Sequence, residues 1–519
     1  MGRTDVSRCT QSCEDAENAR KPPCKAEENG PHGLNTVCED DRVGNADRLS
    51  GLDSSFLHME RDGAHMHVAS TIIFEGPAPS HEDFRDHIAS RLHLVPRFRQ
   101  KLRSVPFGQG RPVWVDDPHL NLDYHVRQTA LPSPGSDEQL RNLAARIFSQ
   151  QLDRSKPLWE LWLVEGMADG RFAVIGKSHH ALVDGVSGID ITTVLFDLDR
   201  EPPRPSPPPP WLARPEPTDA QLLGDALKER VTSPGEIVRG VRHALRGPRQ
   251  VVHGAAATTK MVGAGLKAPP TPFNVEIGPH RRFEMSQASL ADLKRVKDAN
   301  GGTVNDVILS IVSGAIGNYL RARGHETGGM TLRAMVPVSI REAEEHGALG
   351  NRISAMMAPL PVWSEDPVER LHVVTEAMGD LKASGQAVGA EILTRLTDFA
   401  PTTIVSQAAR LQPAQRFFNL VVTNVPGPQF PLYVLGRQME SIFPMVPLAQ
   451  KQALCIGIVS YNGQVNFGLI GDYDAMPDLA SFKLDLEAAT EEAIATAPPA
   501  PAAKTRAAAA RTNGAAAPN

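Results

Sequence analysis

Apolar positions along this chain hold one period for a stretch and then switch to another, and each switch marks an element. Order is expected from near Leu49. There RLSGLDSSFLHMERDGAHMHVASTIIFEG passes from a turn-rich start through a short helical pattern into an alternating strand, whose one face is Met66, Val68, Ser70, Ile72 and Phe74. His81–Val95 places Phe84, Ile88, Leu92 and Val95 at helical spacing, and Leu140–Leu152 repeats the pattern. Trp159–Glu165 and Arg171–Ser178 read as strands, with the Asp169-Gly170 pair between them as a hairpin signal. After Arg200 come nine prolines between Pro202 and Pro217, which fit neither a helix nor a sheet interior and predict a linker. Helical patterns follow over roughly Ala220–Val231 and Gly235–Leu245, then a Gly/Ala/Thr-rich passage to Pro270.

From Phe273 a second half repeats the rhythm of the first. It predicts a strand over Arg281–Met285, helices over Leu290–Asn300 and Val304–Arg321, strands over Leu332–Ile340 and Ile353–Pro361, and a helix over Pro367–Ser384. Phe417–Thr423, Leu454–Tyr461 and Gln464–Ile470 read as further strands, the last two joined by Asn462-Gly463, the strongest turn signal in the chain. Strands alternating with helices in both halves predict an α/β fold.

Composition narrows the function classes. The chain has 519 residues, room for two to four domains at about 100–200 residues each. Its 54 Lys+Arg against 60 Asp+Glu leave a net charge of −6, which excludes a protein working through a strong overall cationic field. Mean hydropathy is −0.25, and no run of 18 apolar residues is present to span a bilayer. The N-terminus lacks the apolar core of a secretory signal, so a cytosolic protein is expected. Cys9, Cys13, Cys24 and Cys38 lie in this polar leader with a spacing that matches no zinc pattern, so a disordered extension with reduced thiols is expected. From Ala495 the sequence is Ala/Pro-rich, predicting a disordered tail. Locally the charge balance inverts: Lys228–Lys267 holds eight Lys+Arg against two Asp+Glu, interleaved with Ile237, Val238, Val241, Leu245, Val251 and Val252. That composition suits a helix lying on an anionic lipid surface or an amphipathic helix packed on its own domain.

Candidate chemistry is concentrated in VIGKSHHALVDGVSGIDI. A strand ends there in His179 and His180, turns, and reaches Asp184 and Gly185 before a helical pattern. Adjacent strand residues point to opposite faces, so only one histidine can serve a given site while the other packs or hydrogen-bonds. A neutral imidazole, with an ordinary pKa of about 6.5, can take a hydroxyl or thiol proton without metal assistance. Asp184 can fix the loop or a histidine, and Gly185 permits a tight turn. A G-x-S-x-G elbow, a P-loop, a G-x-G-x-x-G fingerprint and an H-E-x-x-H pair are all missing from the sequence, which leaves a serine acyl-enzyme, a nucleotide kinase, a dinucleotide enzyme and a zincin without support.

His179-His-Ala-Leu-Val-Asp-Gly185 matches the HHxxxDG motif of the CoA-dependent acyltransferase superfamily. LSGLDSSFL (Leu49–Leu57), KPLWELWLVEG (Lys156–Gly166), IGPHRRF (Ile277–Phe283), GGTVNDVIL (Gly301–Leu309), LRAMVPVSIR (Leu332–Arg341), LGNRIS (Leu349–Ser354) and TNVPGP (Thr423–Pro428) together resemble the bacterial wax ester synthase/diacylglycerol acyltransferase family over roughly Leu49–Ile494. The resemblance implies two chloramphenicol-acetyltransferase-like halves, each a mixed sheet flanked by helices, with the site between them. It also implies acyl transfer from a fatty acyl-CoA to a hydroxyl of diacylglycerol or a long-chain alcohol. Acyl-CoA is then a substrate, and neither a cofactor nor a metal is expected. An acyltransferase acting on a small alcohol or amine is the alternative enzyme. A catalytically dead paralogue or binding module is disfavoured because His180 and Asp184 are both present.

On this resemblance His180 is the general base, His179 supports it, Asp184 orients the turn and Gly185 makes it. By their charge alone, Arg281, Arg282 and Arg333 are candidates for contact with CoA phosphates or for pairing with an acid such as Asp184. Thr303 and Asp306 read as a helix cap beside Asn305, and Pro157-Leu158-Trp159 and Thr423–Gly427 as packing and turn elements. His58, His65 and His67 lack a metal-like pattern and read as structural. The implied organisation is a leader (1–47), an N-terminal half with the histidine motif (48–200), a Pro-rich linker with basic amphipathic helices (201–272), a C-terminal half (273–494) and a tail (495–519). Peripheral association with a membrane or lipid-body surface is expected from the absence of a spanning segment and from the basic stretch, and nucleic acid is not an expected partner.

Overall fold

In the computed structural model residues 47–60, 63–182, 195–203, 210–228, 268–339, 353–383 and 418–499 are described. Asp184 and Gly185, the basic stretch beyond Lys228, the cysteine-bearing leader and the segment after Pro499 lie outside these residues.

Two six-stranded sheets carry the fold. The first has the order β12-β13-β2-β7-β6-β5, built from Tyr433–Val434 (β12), Arg437–Met445 (β13), His67–Phe74 (β2), Phe172–His179 (β7), Trp159–Glu165 (β6) and Val126–Ala130 (β5). The second has the order β10-β9-β11-β14-β15-β8, from Ile353–Pro361 (β10), Thr331–Ser339 (β9), Leu420–Pro426 (β11), Leu454–Tyr461 (β14), Gln464–Asp472 (β15) and Arg281–Ser289 (β8). Each is mixed: β5 runs parallel to β6, and β11 parallel to both β9 and β14, while the other pairs are antiparallel. A small third sheet joins Asp47–Arg48 (β1), Val113–Asp116 (β4) and Gln100–Arg103 (β3).

The alternation read in β2 divides two cores. Ile72 and Phe74, with Phe172 and Val174 of β7, enter one cluster, while Ile73, with Ala173 and Ile175, enters the other. Both faces are covered along Ile72–Phe74 and Phe172–Ile175, and there the sequence is apolar without a break. The second cluster continues without a break into the C-terminal half.

Helices Gly51–Met59 (α1), His81–Arg91 (α2), Leu122–His125 (α3) and Asp137–Ser149 (α4) belong to the first half; Leu290–Asn300 (α5), Val304–Ala322 (α6), Pro367–Ala383 (α7) and Leu479–Ala495 (α8) belong to the second. Ser136 and Gln139 form a capping box that starts α4, which then packs across the junction of the halves. There Arg141 pairs with Glu284 of β8 at 2.9 Å, and the Ser149 hydroxyl accepts the Arg281 N–H at 3.0 Å.

Both predicted turns have the required backbone: Asp169 and Gly170, and Asn462 and Gly463, all adopt positive φ. The described parts of the proline stretch, 202–203 and 210–218, carry neither helix nor strand. The helix after it spans 219–228, and its Leu222 and Ala226 pack on Val105, Val113 and Val115.

One strand is displaced from its expected range, and two features of the C-terminal half are not read from the sequence. The strand expected over Phe417–Thr423 lies at Leu420–Pro426, in register with β14. The C-terminal end is helical, α8, up to the point where a tail was expected; its buried stripe includes Ala489 and Ala493, small residues that weaken the periodic signal. The division into two halves is also crossed by a strand: β12 and β13, in the C-terminal half by sequence, complete the N-terminal sheet, with Met445 opposite Ala69. At this crossing the sheets touch so closely that a Cβ on Gly468 would lie 1.7 Å from the Pro444 carbonyl oxygen.

Candidate active site

The histidine pair stands where β7 ends. Antiparallel pairing with β2 sets His67 opposite His179, and two backbone bonds hold the strand's exit: the Leu158 carbonyl accepts the His179 N–H at 3.0 Å and the Met66 carbonyl accepts the His180 N–H at 2.8 Å. The two side chains differ in exposure. His179 is only 1% exposed. His180 is half-buried, with its ring stacked on Phe56 of α1 at a centroid distance of 4.1 Å.

His179 is in one tautomer. Its Nδ1 accepts the Ala181 backbone N–H at 2.9 Å, which places the proton of the neutral ring on Nε2. Nε2 faces Glu60 Oε1 at 3.4 Å, and the same oxygen lies 3.4 Å from His67 Nε2 and accepts the Met66 N–H at 2.9 Å. The other oxygen, Oε2, pairs with Arg154, whose guanidinium also donates to the Leu57 carbonyl at 3.2 Å. Burial works against ionisation of Glu60, but the contacts with His179, Arg154 and His67 outweigh it and hold its carboxyl well below the usual range. Burial pushes His67 well below its ordinary value despite the neighbouring Glu60, and lowers His65 as well.

The face of β7 that carries His179 also carries Lys177, buried and donating to the Ile147 and Gln150 carbonyls at 3.0 Å each, beside Glu160 at 3.5 Å. It thereby ties the C-terminal turn of α4 to the strand that ends in the histidines. Burial lowers the Lys177 ammonium. Glu160 in turn meets Arg127 at 3.3 Å and accepts the Trp162 indole N–H at 3.1 Å.

Other singled-out residues fall into place around this frame. Leu158 and Trp159 are buried; the Trp159 indole donates to the Phe98 carbonyl at 2.8 Å and its ring stacks between Phe98 and His125. Thr303 and Asp306 form the expected capping box of α6, and Asn305 accepts from the Asn424 side chain of β11 at 3.1 Å. His65 and His67 sit in the buried histidine cluster, and among the described residues no group of His, Cys, Asp or Glu is arranged to hold a metal ion.

The candidate arginines separate. Arg281 is 5% exposed, and its guanidinium is spent on the Gly278, His280 and Gly63 carbonyls and on Asp472 at 3.7 Å, so it is a strut between the halves. Arg282 lies at the surface, stacked 4.0 Å over Tyr473, on the wall of a cleft of about 740 Å3 between α4, β8 and α8. Arg333, on β9, donates its backbone N–H to the Asn419 side-chain oxygen at 2.9 Å, accepts the Asn419 N–H on its carbonyl at 2.8 Å, and does not line that cleft.

Glu60, Phe56, Arg154 and Lys177 were not singled out from sequence. One signal was present: Phe56 and Glu60 are four apart at the end of a helical pattern, which puts them on one face.

Known proteins bear out the resemblance. Residues 49–308 match the wax ester synthase/diacylglycerol acyltransferase catalytic domain, and residues 349–493 match the corresponding C-terminal domain. A probable diacylglycerol O-acyltransferase of Mycobacterium tuberculosis, tgs1, is 32% identical over 460 residues, covering 86% of this chain and 96% of that protein. Among solved structures, the wax ester synthase/diacylglycerol acyltransferase from Marinobacter aquaeolei VT8 superposes with a TM-score of 0.61 at 28% identity, over 86% of this chain and 98% of that one. The starter condensation domain of rhizomide synthetase, at 13% identity and a TM-score of 0.55 over 87% of this chain and 95% of its own, shares the fold.

Proposed function

The chain belongs to the wax ester synthase/diacylglycerol acyltransferase family, and from that premise we propose that it transfers a fatty acyl group from acyl-CoA to diacylglycerol, giving triacylglycerol, and to long-chain alcohols, giving wax esters. The observation that carries the mechanism is the sorting of the two histidines: His179 is enclosed and held in one tautomer, while His180 is half-buried, with its ring set by Phe56.

His180 is the general base. Its imidazole takes the proton of the acceptor hydroxyl as that oxygen attacks the thioester carbonyl; when the tetrahedral intermediate collapses, the C–S bond breaks and the thiolate of CoA recovers the proton from the imidazolium. Proton and acyl group are both accounted for without a covalent enzyme intermediate. Asp184 orients the turn that follows and Gly185 allows it, roles that rest on the motif alone.

Both products are water-insoluble, and among the described residues no helix is long and apolar enough to cross a membrane. We place the enzyme at a membrane or lipid-body surface on the cytoplasmic side, on the strength of the basic composition of Lys228–Lys267.

The test is single-turnover kinetics with labelled palmitoyl-CoA against dioleoylglycerol, hexadecanol, a small alcohol and no acceptor. Ester should form with the two lipid acceptors, and no labelled protein should accumulate without one. A stoichiometric covalent burst, or transfer confined to the small alcohol, refutes the reading.

A further inference from the structure

We propose that Glu60 is a positioning residue for acyl transfer, its carboxylate fixing both the imidazole of His179 and the backbone that presents His180. The inference rests on the general-base reading of His180.

The geometry is a closed set of contacts around one buried acid. Glu60 Oε1 holds the Met66 N–H at 2.9 Å, and the carbonyl of that same residue holds the His180 N–H at 2.8 Å, so Met66 is gripped at both ends, by the acid on one side and by the base's own backbone on the other. The same oxygen faces Nε2 of His179, whose opposite nitrogen is occupied by Ala181, the residue that follows His180. Phe56, one turn before Glu60 on α1, meets the His180 ring. A single helix end therefore sets the ring of His180 through Phe56 and its backbone through Glu60.

A carboxylate suits this place better than an amide. Its oxygens accept from Met66 and Arg154 while presenting negative charge to His179 Nε2 at 3.4 Å. A glutamine at this position has one oxygen; if that oxygen takes the Met66 N–H, its NH2 group turns donor toward donor against Arg154 or His179. The charged groups around the acid are His67 and His65 from β2 and its approach, His179 and Lys177 from β7, Arg154 from the segment after α4, and Arg281 from β8. Glu60 is the acid that pairs with His67, His179 and Arg154 within this set.

The variants Glu60→Gln, Arg154→Gln and His180→Ala, in the full-length enzyme, test the assignment with dioleoylglycerol and palmitoyl-CoA. In Glu60→Gln, kcat is expected to fall about ten- to a hundredfold, the usual cost of a misplaced reacting group, with the KM for acyl-CoA within about twofold of wild type. The acid limb of the kcat/KM profile should move to lower pH, because the anion that favours protonated imidazole is gone. Arg154→Gln, at a side chain 48% exposed, removes a cation from the same cluster, so the limb should move the other way. A purely structural role produces no such pair of opposite shifts. A folded Glu60→Gln enzyme with wild-type kcat, or an acid limb unmoved in either variant, overturns the proposal. If Glu60→Gln does not fold, Arg154→Gln alone decides: a raised limb supports the assignment and an unmoved limb overturns it. His180→Ala separates the premise from the inference, since near-normal turnover there defeats the general-base reading, whereas an inactive His180→Ala beside a normal Glu60→Gln defeats the role of Glu60 alone.

Discussion

Replacing each histidine of the pair by alanine should separate stability from turnover. His179→Ala removes a ring that is 1% exposed, leaves the Ala181 N–H without its acceptor and takes a partner from buried Glu60. An orphaned buried donor costs about 1–3 kcal/mol and the cavity left by a deleted side chain adds to it, so a loss of roughly 3–5 kcal/mol is expected. Unfolding entropy scales with chain length, so in a protein of this size that loss lowers Tm by roughly 3–6 °C. His180→Ala acts at a half-buried ring and gives up its stacked face against Phe56, worth about 0.5–1.5 kcal/mol, so Tm should move less than in His179→Ala. Turnover reverses the order: His180→Ala should lose roughly 10²–10⁴ in kcat, the usual worth of a positioned proton acceptor, and His179→Ala should lose less. The assay pairs thermal unfolding with single-turnover acyl transfer on the same preparations. Equal Tm losses for the two variants, or a His179→Ala enzyme less active than His180→Ala, would show that the sorting of the pair by burial does not govern their roles.

Acid should destabilise the fold in two stages. His65, His67, His87 and His125 are all lowered by burial, so below about pH 6.5 the unfolded chain binds protons that the native state refuses, and stability falls as pH falls; Glu60, also lowered, adds its share below its ordinary value of 4.5. A urea midpoint constant between pH 8 and pH 5 contradicts this. Asp184→Ala should lose activity together with stability, by roughly 1–3 kcal/mol; retained Tm and acyl-CoA affinity with lost turnover and a shifted pH profile would give Asp184 a catalytic role instead. Neutralising Arg239, Arg242, Arg246 and Arg249 should reduce cosedimentation with anionic vesicles, and raising salt should do the same to wild type; unchanged sedimentation would remove these residues from lipid binding.

Elements whose stabilising contacts are local were legible in the sequence. Strands β6 and β14, helix α5, the capping box at Thr303–Asp306 and both hairpin turns follow from periodicity and turn chemistry within a few residues. Strand β13 was not legible, because RQMESIFPM mixes two charges and a proline into the run; Pro444 is tolerated because β12 pairs only with Arg437 and Gln438, leaving the rest of β13 an edge. The small sheet of β1, β3 and β4 was hidden for a similar reason, its short strands lying between Pro- and Gly-rich turns. At the site, the histidines announced themselves by a motif, whereas Glu60 meets Arg154 94 residues further on, a contact that no local pattern encodes. The candidate arginines show the converse: a cationic residue in a family motif says nothing about whether its charge faces solvent or, as at Arg281, backbone carbonyls.

The strand that crosses between the sheets also bears on how the chain is made. Thr71 of β2 donates to the Met445 sulfur of β13, and the two residues are 374 apart in sequence. At synthesis rates of about 5–20 residues per second, roughly 20–75 s pass between the emergence of β2 and that of its neighbour. During that interval the first sheet has an unpaired edge beside an apolar face, a template for pairing with the same edge of another nascent chain. The histidines lie one strand away from that edge, so the first half can assemble the strands that bear its base long before the sheet beneath them is closed.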